Sequence, residues 1–227
     1  MAIVKPFRGL RPPREVVNTL ACLPYDVMNT EEATAMARGK ECSLLHITRA
    51  EIDLPPETDI HSEEVYKKSF ANFLLWQKKG WLIQDRKPSY YIYGQTMKGR
   101  TQYGIVGCAA VDDYLNGVIK KHELTRPDKE QDRMIHIRTN NANMEPVFFA
   151  YQPVEELDQI VKKIISEEKP EYDFVADDGF GHHFWVVNDR ATVSRIEKLF
   201  AEKVPCTYVA DGHHRTAAAA RIGIEKQ

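Results

Sequence analysis

Segments with helical spacing and segments with strand-like patterning alternate along this chain of 227 residues, without a strict strand–helix–strand repeat. The clearest helix begins after Ser62 and stops at Gly80. Two strand-like runs follow, Tyr90–Thr96 and Gln102–Val111, and the residues between them, Lys98-Gly99-Arg100, predict a hairpin turn. This alternation predicts a mixed α+β (α/β) fold, and we expect one domain over residues 1–227.

Composition is that of an ordinary water-soluble protein, with 43% hydrophobic and 28% charged residues. A formal net charge of -2 and the lack of a sustained basic stripe argue against a nucleic-acid partner. No apolar run approaches the length of a membrane span. The four cysteines are isolated in the sequence, which favours free thiols over a zinc site or a disulfide framework. We therefore expect a cytoplasmic protein without a membrane partner.

Several further elements are predicted from local patterns. Ser43–Thr48 has the pattern of a strand, and Asp112–His122 that of extended chain and loop. In the helix after Ser62, an aromatic and apolar stripe is expected to face the core: Tyr66, Phe70, Phe73, Leu74 and Gln77. A last strand, Thr207–Ala210, leads into a last helix, His213–Ile222. Because that helix lies so near the end of the sequence, we expect a shortened relative of longer proteins.

The segment Tyr208–Ala217 is the first candidate for chemistry, because an apolar strand runs through a glycine into a helix. The first turn of a helix presents unpaired N–H groups and a positive dipole end, which together bind anions. Glycine allows a phosphate to approach the backbone, and an arginine fork matches phosphate oxygens. The alternative is a surface helix cap. The residues expected to bind the phosphates of a cofactor here are Asp211, Gly212, His213, His214, Arg215 and Thr216.

A second candidate lies in Lys120–Arg126, where cation, imidazole, carboxylate and hydroxyl groups follow one another. Glu123 or His122 is expected to act as a general base or as a ligand for a divalent ion, and Lys121 to contact the phosphates. Asp26, in a predicted turn, is a further candidate for catalysis. The alternative interpretation of Lys120–Arg126 is a solvated loop whose ion pairs contribute little.

Gly181-His182-His183 is interpreted as a turn that enters a strand. Adjacent histidines on a strand point to opposite faces, so they do not form the two-ligand arrangement of a zinc site. No metal ligands are therefore assigned.

Four motifs occur in the same order as in domain of unknown function family 1015, a prokaryotic family that the whole chain resembles. They are Lys5–Pro12, Pro24–Val27, Lys121–Thr125 and Asp211–Arg215. Family members are commonly longer, which agrees with the expectation of a shortened chain.

Asp211–Arg215 also resembles the phosphate-binding box of the ParB and sulfiredoxin superfamily, in which a strand leads to a glycine and an arginine follows in the first helical turn. The resemblance implies a ParB/sulfiredoxin-like nucleotide-binding core with additional strands and helices. His213 stands where sulfiredoxin has its reactive cysteine, and no helix-turn-helix segment is present. Kinases of free serine that use ADP or ATP are the remaining analogue.

Two functions follow as hypotheses. The first is a phosphotransferase that uses ATP or ADP with Mg²⁺, with CTP as a further nucleotide, to phosphorylate a small hydroxyl compound such as a free amino acid. The second is a nucleotide-dependent sensor or ParB-like regulator without catalysis. A metal hydrolase that uses His122, Glu123, Asp211 and His213 is a third alternative.

Overall fold

The computed structural model describes residues 1–227 and has a mixed α+β fold, as the alternation of segments predicts. The strands are β1 (Val4–Lys5), β2 (Leu10–Arg11), β3 (Ile83–Gln84), β4 (Tyr90–Met97), β5 (Arg100–Val106), β6 (Cys108–Ala109), β7 (Ile119–Lys120), β8 (Phe148–Ala150), β9 (Tyr172–Val175), β10 (Gly181–Val187) and β11 (Thr207–Asp211). The helices are α1 (Arg14–Leu20), α2 (Thr30–Ala37), α3 (Leu45–Thr48), α4 (Glu63–Lys79), α5 (Val111–Leu115), α6 (Pro127–Asn140), α7 (Glu155–Glu167), α8 (Arg190–Lys203) and α9 (His213–Glu225). Short 3₁₀ turns cover Tyr25–Val27 and Ala50–Asp53.

The chain forms two compact units, each built from three segments. The sheet unit contains Met1–Arg14, Gln84–His122 and Phe149–Ala210. The helical unit contains Glu15–Ile83, Glu123–Phe148 and Asp211–Gln227. The expectation of one domain over residues 1–227 stays a prediction.

The sheet unit is organised around four antiparallel strands in the order β5-β4-β10-β9. The turn between β4 and β5 confirms the predicted hairpin, and both of its central residues have positive φ, 51° at Lys98 and 78° at Gly99. Such a turn follows the right-handed twist of the two strands. A second sheet has three strands in the order β7-β11-β8, with β7 and β11 parallel, and α9 follows β11 along the chain.

Helices α7 and α8 supply the apolar side chains that cover one face of this sheet. The side chains of α7 and α8 that are buried in the core cluster include Leu157, Ile164, Ile196, Leu199 and Phe200, and the strands contribute Tyr90, Ile92, Trp185 and Val187. Helix α8 begins where the side chain of Asp189 accepts a hydrogen bond from the Thr192 amide at 2.8 Å and so caps the first turn.

The proline-rich N-terminal segment packs against the other face of the sheet. The hydroxyl of Tyr91 accepts a hydrogen bond from the Gly9 amide at 2.7 Å, and the ring of Phe7 meets that of Tyr91 edge-on. A Cβ at Gly9 would lie 2.5 Å from the Tyr91 hydroxyl oxygen, so this approach requires glycine. The first family-like motif therefore has a structural role here.

The helical unit is held together by two apolar clusters. One joins α2 and α3 through Ala33, Ala37 and Leu45, and the other joins α6 and α9 through Met134, Ala218 and Ile222. Helix α6 starts with Pro127 at its first position, where the missing N–H of proline costs no helical hydrogen bond. Helix α4 starts after Ser62 and ends at Gly80 in a left-handed conformation, as predicted.

Two predicted segments have a different conformation in the structure. Ser43–Thr48 is not a strand, because Leu45–Thr48 forms one helical turn in which Leu45 and Ile47 are both fully buried. A short apolar run that is buried on all sides has no periodicity that separates strand from helix. Asp112–His122 is not wholly extended, since α5 covers Val111–Leu115.

The predicted core stripe of α4 is displaced around the helix. Tyr66 and Phe73 are buried, but Phe70 and Leu74 are exposed, and the buried face includes the polar residues Ser69 and Asn72. Ser69 donates to the Ile47 carbonyl at 2.7 Å, which satisfies its hydroxyl within the core. Hydrogen bonding of this kind cannot be read from apolar spacing.

Candidate functional site

The start of α9 has the geometry that the strand–glycine–helix pattern predicts. Strand β11 ends at Asp211, Gly212 adopts φ 87° and ψ 41°, and α9 begins at His213. A Cβ at Gly212 would lie 3.0 Å from Cγ1 of Val147 and 3.2 Å from the guanidinium carbon of Arg215. Because glycine has no side chain to accept hydrogen bonds from the first-turn amides, this helix start has no side-chain cap.

Arg215 folds back over the glycine and contacts its own chain. One terminal nitrogen, Nη1, donates to the Pro146 carbonyl at 2.6 Å, and Nη2 donates to Oδ2 of Asp211 at 2.7 Å. The Arg215 side chain is 12% exposed, whereas that of Asp211 is 68% exposed. The arginine thus stabilises the β11–α9 connection, and an anion that approaches Nη2 competes with the exposed carboxylate of Asp211.

The two histidines of α9 contact the loop that precedes α6. Nδ1 of the buried His213 lies 3.1 Å from Oε2 of Glu123. Nε2 of His214 accepts a hydrogen bond from the Arg126 amide at 3.1 Å. Since an amide can only donate, His214 is the neutral tautomer with its proton on Nδ1 in this arrangement. Two of the motifs predicted from the sequence therefore meet in the helical unit.

Thr216 is buried and its hydroxyl donates to the Gly212 carbonyl at 2.9 Å. This is a bond within the first turn of α9, four residues back along the chain. The expectation that Thr216 contacts phosphate stays a prediction, as do the binding roles of Asp211, Gly212, His213, His214 and Arg215.

The loop Glu123–Arg126 is open to solvent but is anchored at several points. The Glu123 side chain is 61% exposed even though it reaches His213. Thr125 donates to the Glu130 carboxylate, which also pairs with Arg221 of α9 at 2.8 Å. Burial alone would raise the pKa of Glu130, but the hydroxyl and the guanidinium lower it overall.

Asp26 lies in the 3₁₀ turn Tyr25–Val27 and is exposed. Arg49 holds this turn from one side, with Nη1 donating at 2.7 Å to the carbonyls of both Tyr25 and Met28. From the other side, Oε1 of Glu145 accepts from the Tyr25 amide at 3.0 Å. Glu145 is followed by Pro146, the residue that Arg215 contacts, so the Asp26 turn and the start of α9 contact adjacent residues.

A buried network of charges behind the Asp26 turn was not predicted. Nη2 of Arg133 lies 2.5 Å from Oδ2 of Asp132, and its Nη1 lies 3.8 Å from Oε2 of Glu145. The other carboxylate oxygen of Asp132 accepts from the Tyr66 hydroxyl at 2.8 Å and contacts His61 at 3.1 Å. The presence of Asp132 and Arg133 close after Lys120–Arg126 was the only local signal of this network.

The pKa values of the two carboxylates of this network are shifted in opposite directions. It raises the pKa of Glu145, and the Tyr25 amide and the Arg133 guanidinium oppose that increase only in part. For Asp132, burial also acts to raise the pKa, but the adjacent Arg133 lowers it below the ordinary value. The network therefore contains one carboxylate whose pKa is raised and one whose pKa is lowered.

Lys121 and His122 belong to the sheet unit, unlike the other predicted site residues. The ammonium of Lys121 lies 4.2 Å from the ring centroid of Tyr114, and His122 is exposed. Their predicted roles in phosphate contact and proton transfer stay predictions.

His182 and His183 lie within β10 rather than in a turn before it. His182 stacks on Phe174 and contacts the Tyr93 hydroxyl, whereas His183 bridges Asp173 and Thr96 at 2.9 Å on each side. Each imidazole thus takes part in side-chain contacts within the sheet.

In residues 1–227, no three His, Cys, Asp or Glu side chains are grouped in a way that could hold a metal ion. The metal-hydrolase alternative therefore has no support from the geometry. None of the helices combines the length and apolarity that a membrane crossing requires.

Comparison with protein-family models shows which family the chain belongs to. The model described as protein of unknown function (DUF1015) covers residues 4–227. The chain belongs to the DUF1015 family. No curated protein and no solved structure matches it. Membership of DUF1015 agrees with the resemblance carried by the four motifs, and assigns no activity.

Proposed function

We propose that this protein binds the phosphate groups of a nucleotide at the start of α9 and transfers a phosphoryl group to a small hydroxyl compound. The observation that carries the proposal is the contact between the exposed Glu123 carboxylate and His213 at a glycine-started helix, with 3.1 Å between Oε2 and Nδ1. It brings a candidate proton acceptor to a candidate phosphate site.

The phosphate site is supported by the backbone around Gly212. A helix of 13 residues directs its first-turn N–H groups and its positive dipole end towards whatever lies in front of residue 213. The imidazole of His214 has its proton on Nδ1, as a donor. Asp211 is exposed and can move away from Arg215 when an anion replaces it as the partner of Nη2.

The transfer itself needs in-line positioning and a group that accepts the hydroxyl proton. In the proposed step, the acceptor oxygen forms a bond to the terminal phosphorus while the bond from that phosphorus to the bridging oxygen breaks. The hydroxyl proton passes to the Glu123 carboxylate, and the leaving nucleotide keeps the electron pair of the broken bond. ATP or ADP, accompanied by Mg²⁺, is the donor that this scheme requires, and CTP is a further nucleotide to be tested. Asp26 is the second candidate proton acceptor.

The proposal includes a ParB/sulfiredoxin-like nucleotide-binding core. It is supported by β11 leading through Gly212 into α9 and by Arg215 in the first helical turn. A free amino acid that carries a hydroxyl, such as serine, is the acceptor that the analogy to free serine kinases favours.

Calorimetric titration with ADP, ATP and CTP, each with and without Mg²⁺, tests the binding step. We expect micromolar binding that falls at least about tenfold in Arg215→Ala, since a charge-assisted hydrogen bond contributes about 1.5–3 kcal/mol. Arg138→Ala is the matched control, because Arg138 forms an exposed pair with Glu225 at 2.8 Å in the same unit. Equal affinity in Arg215→Ala and Arg138→Ala would show that Arg215 does not hold the phosphates.

Turnover separates the kinase from a non-catalytic sensor. Phosphorus NMR of the protein with the bound nucleotide and a panel of hydroxyl compounds, free serine included, should reveal a new phosphate ester. Glu123→Gln should retain nucleotide binding and lose ester formation by about 10²–10⁴-fold, the range for a general base. Binding without any ester or hydrolysis product would favour the sensor.

A further inference from the structure

The segment Glu145–Val147 contacts both parts of the proposed site in the helical unit. The Glu145 carboxylate accepts from the Tyr25 amide at 3.0 Å. The Pro146 carbonyl accepts from Arg215 at 2.6 Å, and Cγ1 of Val147 lies 3.0 Å from the position of a Cβ at Gly212. Three consecutive residues thus touch the Asp26 turn at one end and the start of α9 at the other.

We propose that Glu145 is a positioning residue, which fixes Asp26 relative to the start of α9 and so sets the place of the acceptor hydroxyl. This role rests on the proposed function, since it requires a phosphate at α9. The contact is with the backbone of Tyr25, next to Asp26, and the Asp26 side chain itself remains exposed. Glu145 therefore acts through the turn and not on the substrate.

The surroundings of Glu145 favour a fixed orientation of its carboxylate. Its side chain is 14% exposed, and Nη1 of Arg133 lies 3.8 Å from Oε2. Arg133 is itself held, because its guanidinium stacks on the Tyr25 ring and bonds Asp132. A largely buried carboxylate with a hydrogen bond to one oxygen and an ion pair to the other loses little further freedom when a ligand binds, which is what precise positioning of a catalytic group requires.

Three charged side chains affect the pKa of Glu145: Arg133, Arg215 and Asp26. Burial is the main reason for the raised pKa of Glu145; Arg133 and Arg215 oppose it, and Asp26 adds to it. The charges of Asp26 and Arg215 both affect the pKa of this carboxylate, in agreement with the contacts that Glu145 makes with the turn and Pro146 makes with Arg215.

Two variants separate the hydrogen bond from the charge. Glu145→Gln retains an oxygen that can accept from the Tyr25 amide, whereas Glu145→Ala retains none. Glu225→Ala is the control, because Glu225 is an exposed carboxylate of α9 that pairs with Arg138.

The first measurement is hydrogen exchange of the peptide that contains Tyr25, which does not depend on any ligand. We expect exchange at least about tenfold faster in Glu145→Ala, and exchange close to that of the wild type in Glu145→Gln and Glu225→Ala. Unchanged exchange in Glu145→Ala would overturn the positioning role and leave the proposed function intact.

The second measurement is steady-state kinetics of phosphate ester formation. We expect kcat to fall at least about tenfold in Glu145→Ala with nucleotide affinity within about twofold, and to be largely restored in Glu145→Gln. Faster exchange with an unchanged kcat would make Glu145 structural only and overturn the proposal. If the wild type binds no nucleotide, the proposed function fails, and the positioning role in it fails as well.

Discussion

The guanidinium of Arg133 lies over the ring of Tyr25, with 3.7 Å between the guanidinium carbon and the ring centroid. Stacking of this kind combines cation–π attraction with removal of both groups from water. Because Arg133 is on α6 and Tyr25 opens the 3₁₀ turn, the contact joins two segments that are far apart in sequence. The turn that carries Asp26 is thereby attached to a long helix rather than only to its neighbouring loop.

Arg133→Ala should destabilise the helical unit strongly. The side chains of Arg133 and Asp132 are 9% and 11% exposed, so removal of the arginine leaves Asp132 buried without its main cationic partner. Loss of one member of a buried pair costs about 3–5 kcal/mol. Urea unfolding followed by circular dichroism measures the change in the free energy of unfolding. Arg138→Ala removes an exposed pair instead and should cost less than about 1 kcal/mol.

Gly212→Ala should cost more than an equivalent change at Gly39. Both glycines have positive φ, 87° and 75°, and both therefore impose the backbone penalty of about 1–2 kcal/mol on alanine. Only at Gly212 does the new methyl meet neighbours, with Val147 at 3.0 Å, whereas nothing lies within 4 Å at Gly39. We expect a further loss of about 1 kcal/mol or more at Gly212. Equal losses of stability for the two variants in thermal unfolding would show that the side chains of Val147 and Arg215 move aside without a free-energy cost.

Acid should destabilise the protein through His136. Burial and repulsion from Arg133 lower the pKa of His136 from 6.5 to about 3. His61 also lowers this pKa, and the nearby Asp132 opposes the decrease. Between these two values the unfolded chain binds a proton that the folded chain does not, so the free energy of unfolding falls as the pH decreases from 6.5 towards about 3. The slope is at most about 1.4 kcal/mol per pH unit. His136→Gln should flatten this part of the stability profile, measured by urea unfolding at several pH values.

His46 provides a control of opposite sign. Its hydrogen bond to Asp53, at 2.7 Å, raises the pKa of His46 above 6.5. The resulting stability is present in full below pH 6.5 and is lost as the pH rises through the folded-state pKa. His46→Gln should therefore lower stability at acidic pH more than at alkaline pH. If His136→Gln and His46→Gln change the pH dependence of stability in the same direction, the pKa shifts assigned to these two histidines are wrong.

Lys98→Asn should stabilise the hairpin of the sheet unit. Lys98 has φ 51°, a conformation that asparagine adopts more readily than lysine, and the next residue is already glycine. We expect a gain of about 0.5 kcal/mol, seen as a higher Tm. Lys87→Asn is the matched control, since Lys87 does not have positive φ and should show no such gain.

The sequence predicted best those elements that local chemistry determines. The hairpin follows from Lys98-Gly99, and the ends of α4 follow from Ser62 and Gly80. The start of α9 follows from the strand–glycine–helix pattern, which needs only about ten consecutive residues. In each case the residues that decide the conformation lie within the element itself.

The rest of the site could not be predicted, because its partners are distant in sequence. Glu145 bonds an amide 120 positions away, and Tyr66 bonds a carboxylate 66 positions away. His213 and Glu123 belong to separate motifs, and only the fold brings the two side chains into contact. The charge pattern did not indicate that the side chains of Arg133 and Asp132 are largely buried, since both residues occur in a strongly polar stretch.

The order in which a ribosome makes this chain has a consequence for the helical unit. Its last segment, Asp211–Gln227, supplies Ala218 and Ile222 to the cluster in which Met134 of α6 is buried. Until α9 has been synthesised, that face of α6 has no covering partner, and Glu130 has no Arg221. The core between α6 and α9, and the candidate site at Gly212, can therefore form only after both helices have left the ribosome, so α6 waits for a partner that is made some eighty residues later.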